Sequence, residues 1–281
     1  VEFPTLNGKG YVETHPEAWA IDENGKRVEA AGWFMGVCPT EEGFKRYRAE
    51  QLRNLLREYP IDGVWLDYVH WHAQFEEPEP ILPETCFCDH CLSAFAAEKE
   101  VDLPSGSTSE KAQWILSQQD SLWRDWRCEV IADWTEDLKN ILLVERPGAL
   151  LGLFHCPWED TAFNGARRQI LGLDYGLLVE HVDVFSPMVY HERMGRSTKW
   201  VEENLLWFRK ELVEKSHEAK KIWPIVQAYQ VPVEEFAEVL QTGLAASSGV
   251  MVFTVTAVAN EDRKIEAMRR VYHSTLHGKK Y

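Results

Sequence analysis

Five short apolar runs separated by amphipathic segments constrain this chain more than any other feature. They are Gly63–Val69 (GVWLDYV), Leu150–His155 (LLGLFH), Val182–Tyr190 (VDVFSPMVY), Ile222–Tyr229 (IWPIVQAY) and Gly249–Val255 (GVMVFTV), with weaker candidates at Val1–Phe3 and Trp33–Val37. Continuous apolar runs are what strands buried on both faces require, and that is the state of a parallel sheet. The intervening segments read as helices. Thr40 can cap one that runs to about Tyr59, with Glu41 and Glu42 in its first turn, where the helix dipole favours acids. Ser109 can cap a long one that stops at Arg146-Pro147-Gly148. Others are expected over Ser197–His217, Val233–Ala246 and Asn260–His273.

Strand and helix therefore alternate from residue 40 onward, which leaves a barrel or a doubly wound sheet. No glycine-rich phosphate loop follows any run, which weakens the nucleotide-binding version. Polar and aromatic residues instead gather at several strand ends: Asp67-Tyr68, His155, Tyr190-His191 and Gln227–Tyr229. Function collected from many strand ends is the habit of a TIM (β/α)8 barrel. With Gly249–Val255 as the eighth strand, Gly63–Val69 is the fourth, Trp33–Val37 the third and Val1–Phe3 the tail of the second. The expectation is one α/β barrel domain over residues 1–281, lacking its first strand and helix. A long insertion at about 70–108 follows the fourth strand. The chain does not open on Met and no charged-then-apolar leader precedes the first run, so a processed or trimmed chain is expected.

Composition narrows the partners. Thirty Lys and Arg against 45 Asp and Glu give a net charge of −15, which repels phosphate backbones and anionic lipid surfaces. No apolar run reaches the length of a membrane span. An uncharged substrate suits this balance, and no organic cofactor is implied. Twelve Trp exceed what a core of this size requires.

Three of the six cysteines crowd into Cys86-Phe87-Cys88-Asp89-His90-Cys91. That C-x-C-x-x-C spacing is too tight for ordinary disulfides and suits thiolates wrapped around one tetrahedral ion. Cys38, just after the preceding strand candidate, is the best fourth ligand for a structural zinc. A site using His90, or three reduced thiols, are the other readings. Cys128 and Cys156 read as buried thiols. Thiolate zinc favours the cytoplasm without excluding export.

The run Ile61-Asp62-Gly63-Val64-Trp65-Leu66-Asp67-Tyr68 ends in a carboxylate at the expected barrel mouth, where Asp67 can act as nucleophile or base. The D-G-x-x-x-D-Y strand followed by the cysteine loop resembles the glycoside-hydrolase-like TIM barrels of bacteria. The cysteine spacing is similar to the structural zinc site of the family 42 β-galactosidases. Phe185–His191 and Ile222–Ala228 also read like the sixth and seventh strands of such barrels. The family 42 acid/base is a glutamate after Asn at the fourth strand end, whereas this chain has Leu66-Asp67. That departure resembles barrels whose fourth-strand aspartate is the nucleophile, such as α-amylases and α-galactosidases. β-Galactosidase activity is therefore not implied.

A glycosidase needs a second carboxylate facing the first. Glu192, in Tyr190-His191-Glu192, is the first choice, and Glu159, in Pro157-Trp158-Glu159-Asp160, the second. Sugar rings present apolar C–H faces that Trp and Tyr cover, so Tyr68, Trp158 and Tyr190 are expected to bind substrate. Trp71 and Tyr229 also follow strand ends. His70, His155, His191 and Gln227 could bond sugar hydroxyls, although a core position suits His155 and His191 nearly as well. Trp114, Trp123, Trp126, Trp134, Trp200 and Trp207 have helical spacing and read as packing. The expected function is a glycoside hydrolase acting on an uncharged oligo- or polysaccharide, with a homo-oligomer as a possible assembly. A non-catalytic glycan-binding barrel is one rival. A metal-dependent hydrolase using His70 and His72 is another.

Overall fold

A computed structural model describes residues 1–216 and 219–278. Its centre is one parallel sheet built from β1 (Glu2–Pro4), β2 (Gly63–Asp67), β3 (Leu150–His155), β4 (Val184–Val189), β5 (Lys221–Ile222), β6 (Ile225–Gln227) and β7 (Met251–Phe253). Both β5 and β6 pair with β4, and Trp223-Pro224 separates them, so they share one strand position. The order across the sheet is β1-β2-β3-β4-β5/β6-β7, with every pairing parallel. Six consecutive positions of a barrel are thus present among the described residues.

The sheet curls. Glu2 on one edge strand and Phe253 on the other line the same cavity. The Trp65 indole, from β2, crosses the concave face to donate to Ser186 Oγ on β4 at 3.1 Å and to stack on Trp223 at 5.5 Å. It lies flat over β3 because Gly152 has no side chain there; a Cβ at that position would sit 2.2 Å from the Trp65 ring nitrogen. The two indoles form the floor of the concave side.

Trp33–Val37 is not a strand of this sheet. The register Pro4↔Asp67 makes β1 the direct neighbour of β2, so the strand expected between them does not exist there. The segment is a loop, buried from Phe34 to Val37, whose backbone is satisfied elsewhere. Val37 N–H donates to Leu6 O, Met35 N–H to Asn7 Oδ1 and Gly36 N–H to His72 Nδ1. Val1–Phe3 accordingly holds the third barrel position, not the second.

The helices of eight residues or more among the described residues are α1 (Glu42–Glu58), α2 (Asp89–Glu98), α3 (Thr108–Gln118), α4 (Asp120–Glu145), α5 (Thr198–Lys215), α6 (Val233–Ala246) and α7 (Asp262–Gly278). The end expected for α5 at His217 lies outside the described residues. Glu41, not Thr40, caps α1: its carboxylate accepts from Gly43 and Phe44 N–H at 2.9 and 2.6 Å. Ser107, not Ser109, caps α3 through a capping box with Glu110, and the long helix expected from there is broken at Gln119. Trp123, Trp126 and Trp134 on α4 are fully buried, as their helical spacing implies. Trp71 joins them: it is fully buried, donates to Arg127 O at 3.0 Å and carries the Arg127 guanidinium over its ring. It is a core residue, not a sugar platform. One contiguous apolar core runs through all of these elements.

Candidate active site and metal centre

β2 ends at Asp67, and the chain turns sharply there. Tyr68 takes a left-handed backbone (φ 53°), a conformation that costs a bulky residue about 1–2 kcal/mol and is tolerated where the surroundings enforce it. Its ring stacks on Phe34, and its hydroxyl accepts from Trp33 Nε1 at 3.1 Å. The effect is to hold Tyr68 and the exposed Trp33 at the mouth of a cavity of about 470 Å³. Asp67 lies inside it, together with Glu2 from β1 and Glu76 from the loop that follows β2. Apolar side chains of Phe154, Met188 and Phe253 form the walls.

This environment reshapes the acids. Burial, and then the Glu2 carboxylate that hydrogen-bonds to it, pushes Asp67 up to about 8; only the Tyr68 N–H, donating at 2.9 Å, works the other way. Burial pushes Glu76 up to about 7, with Arg193 opposing and Glu77 adding to the rise. Arg193 Nη1 sits 3.1 Å from Glu76, its other nitrogen pairs with Glu77 at 3.0 Å, and its guanidinium lies 4.5 Å over the Trp33 ring. Tyr190, stacked on Phe253, is held protonated by burial and by Glu76 and Asp67 nearby. The cleft thus contains carboxylic acids that change protonation near neutral pH, which is what acid–base work demands.

The remaining residues singled out in the sequence fall elsewhere. Gln227, on β6, accepts from Arg193 N–H at 3.1 Å and donates to Glu192 at 3.3 Å, so Glu192 is an exposed rim acid beside the cleft. Glu159 and Trp158 line a neighbouring pocket. His155 projects from the convex side of β3 against Tyr175 and Phe208, and burial lowers it to about 3. His70, held by Trp71 O at 2.7 Å, is buried and lowered to about 4. His191 is buried against Glu235 at the start of α6. Asp183 supports β3 from below, accepting from Leu151 N–H and Lys139. Sequence reasoning missed Glu2, Glu76 and Arg193. The alternation of β1 held a signal for Glu2, since Phe3 on its other face is buried in the core.

The cysteine centre is built differently. Cys38, Cys86, Cys88 and Cys91 are buried, and their sulfurs lie within 4.8 Å of one another. Cys38 Sγ is 3.3 Å from Cys88 and 3.5 Å from Cys91. A tetrahedron of about 2.3 Å metal–sulfur bonds needs sulfurs roughly 3.8 Å apart, so a small relaxation admits an ion. Cys88 is the N-cap of α2, Ile21 N–H donates to Cys86 Sγ, and the Thr40 hydroxyl sits 3.2 Å from Cys91 Sγ. Burial, and then the hydrogen bond with Cys38, push the Cys86 and Cys91 thiols up, while hydrogen bonds from its three cysteine neighbours push Cys88 down. The set is closed by four ligands, and His90 is not among them. Among the described residues no other group of three or more His, Cys, Asp or Glu gathers this way, and His70 and His72 form no such centre.

The fold is a partial α/β barrel with a carboxylate-lined cleft on the concave side of its sheet. No protein-family model and no curated protein matches the chain. Solved structures do. The glycoside hydrolase domain of PgaB (BpsB) from Bordetella bronchiseptica is similar with a TM-score of 0.69 at 13% identity, over 96% of this chain and 74% of that one. Gan42B, a GH42 β-galactosidase from G. stearothermophilus, gives 0.64 at 14% identity, over 98% of this chain and 46% of its own. An α-L-fucosidase isoenzyme from Paenibacillus thiaminolyticus gives 0.56 at 12% identity over 97% of this chain and 36% of its own. The chain thus spans less than half of the last two. No helix among the described residues is long and apolar enough to cross a membrane.

Proposed function

We propose that the protein is a glycoside hydrolase that cleaves an uncharged oligo- or polysaccharide in the cleft formed by β1 and β6 and the C-terminal ends of β2, β3, β4 and β7. The observation that carries this reading is the meeting of Glu2, Asp67 and Glu76 in one aromatic-walled cavity, with two of the three carboxyls raised toward neutrality.

Asp67, protonated at neutral pH and braced by Glu2, donates its proton to the glycosidic oxygen as the C1–O bond breaks. Glu76, kept partly ionised by Arg193, takes a proton from the water that attacks C1. Tyr68, Trp33 and Tyr190 offer ring faces and hydroxyls to the sugar. Glu192 and Glu159, acids favoured by the linear sequence, act on this reading as rim groups. The cysteine centre holds zinc, and its role is structural because four sulfurs leave no open position for water or substrate.

The test is turnover across a panel of neutral oligosaccharides by wild type and Asp67→Asn. Hydrolysis of at least one glycan by the wild type, lost in the variant with binding retained, is the expected result. Binding without turnover in both proteins overturns it in favour of a glycan-binding barrel.

A further inference from the structure

Beside the cleft lies a second cavity of about 240 Å³, which the mechanism above does not use. Sites for drug-sized ligands are usually larger, so this volume suits a single ring. Trp158, Phe163 and Trp200 supply aromatic surface, and Phe163 packs on Trp158 with ring centroids 4.6 Å apart. Phe163 and Asn164 are consecutive left-handed residues (φ 48° and 57°), and this backbone leaves the Phe163 ring 38% exposed at the pocket. Such a conformation persists only where the surroundings enforce it.

Asn204 gives the pocket its chemistry. The residue is 1% exposed, and its amide nitrogen donates to Pro157 O at 2.6 Å. Because that carbonyl can only accept, the assignment of nitrogen and oxygen is forced. The Asn204 Oδ1 atom is then a buried acceptor with no protein partner, in a residue that lines the cavity. A buried acceptor left unpaired is costly, and a small shift of the Asn204 side chain would present it to a ligand hydroxyl. Glu77 and Glu159 add further acceptors on the rim.

The two cavities share a wall. Arg193 and Glu76 line the cleft, while Met194 and Glu77 line the second pocket, and Arg193 pairs with both glutamates. Phe75 touches Trp158 from beneath that wall. We infer that Trp158, Phe163, Trp200 and Asn204 form a second sugar-ring subsite, which receives a residue of the same glycan chain several units from the bond that is cut. The inference rests on the glycoside hydrolase reading and deepens it: the substrate is an oligosaccharide long enough to bridge the wall, and the enzyme prefers chains to disaccharides.

Binding separates this claim from catalysis. In the Asp67→Asn protein, affinities are measured by calorimetry for cellohexaose, xylohexaose, mannohexaose and chitohexaose, each against its own disaccharide. Adding Phe163→Ala, and separately Trp200→Ala, is expected to weaken the bound hexaose about tenfold, the loss of one stacked ring face, while the disaccharide changes within about twofold. The Phe163→Ala variant should melt close to its parent, since Phe163 is an exposed side chain, and Trp200, which packs against the core, is read only against its own melting curve. Equal loss for hexaose and disaccharide overturns the subsite, as does unchanged hexaose affinity. Failure of every hexaose to bind also overturns it. Turnover by the wild type is scored separately, so the hydrolase reading can survive the loss of the subsite and the subsite can survive the loss of the hydrolase reading.

Discussion

The cysteine centre and the acidic cleft both bury ionisable groups, and they do so by opposite means. In the centre, four like ligands converge, and backbone N–H groups and a helix N-terminus support them. Everything points inward and nothing is left for solvent. In the cleft, three carboxylates meet one arginine, the walls are apolar, and the lining includes the exposed rings of Trp33 and Phe253. The first arrangement could stabilise a loop by holding an ion. The second raises the energy of its own acids and keeps them near the protonation midpoint. On the proposed reading, one suits permanence and the other proton transfer.

The largest expected effect lies in the cleft. Asp67→Asn should lower kcat by about 10³-fold, within the usual range for removing a general acid, as read from initial rates on the best glycan. Next comes the metal. Chelation, or Cys88→Ser, should release one zinc per chain by atomic absorption and lower the melting temperature by more than 10 °C, because ion binding is folding energy at such a site. If activity vanished while the melting temperature held, the division between the two regions would fail.

The pH profile sharpens the contrast. With Glu76 near 7 acting as base and Asp67 near 8 acting as acid, kcat/KM should be a narrow bell limited by those two values. Arg193 lowers Glu76, so Arg193→Ala should move the acidic limb upward, and an unmoved limb would separate Glu76 from the chemistry. Stability carries the same signature. A carboxyl whose folded value is raised binds its proton more tightly in the folded state. Its contribution to stability is therefore full below about 4 and is lost as pH rises toward about 8. Asp67→Asn has no such loss, so its advantage in denaturant melts should grow across that window by several kcal/mol. The smallest effect is at the metal's outer contacts. Thr40→Val removes the hydroxyl beside Cys38 and Cys91 and should weaken zinc about tenfold in a competition titration, leaving kcat unchanged.

The same contrast explains what could be read in advance. Three of the four sulfur ligands lie within six residues, and Asp67 closes an unmistakable apolar strand, so both were legible locally. β3 and α6 matched their apolar patterns for the same reason. Glu2 became visible only through the β1–β2 register, which no local pattern announces. Glu76 and Arg193 meet across more than a hundred residues of chain. Trp33–Val37 has the composition of a strand, but its N–H groups are claimed by Leu6, Asn7 and His72, and that competition is tertiary. The break at Gln119 has no glycine or proline to mark it, whereas the S-x-x-E capping box at Ser107 was present to be read.

The central claim is that the acids of the cleft, not the nearer acids of the strand-end loops, perform the chemistry. The direct measurement is kcat for Asp67→Asn, Glu76→Gln, Glu192→Gln and Glu159→Gln side by side on one hydrolysed glycan. Loss of about a hundredfold or more in the first two, with the last two within about tenfold of wild type, is the predicted result. Collapse in Glu192→Gln or Glu159→Gln, with Glu76→Gln active, would contradict it.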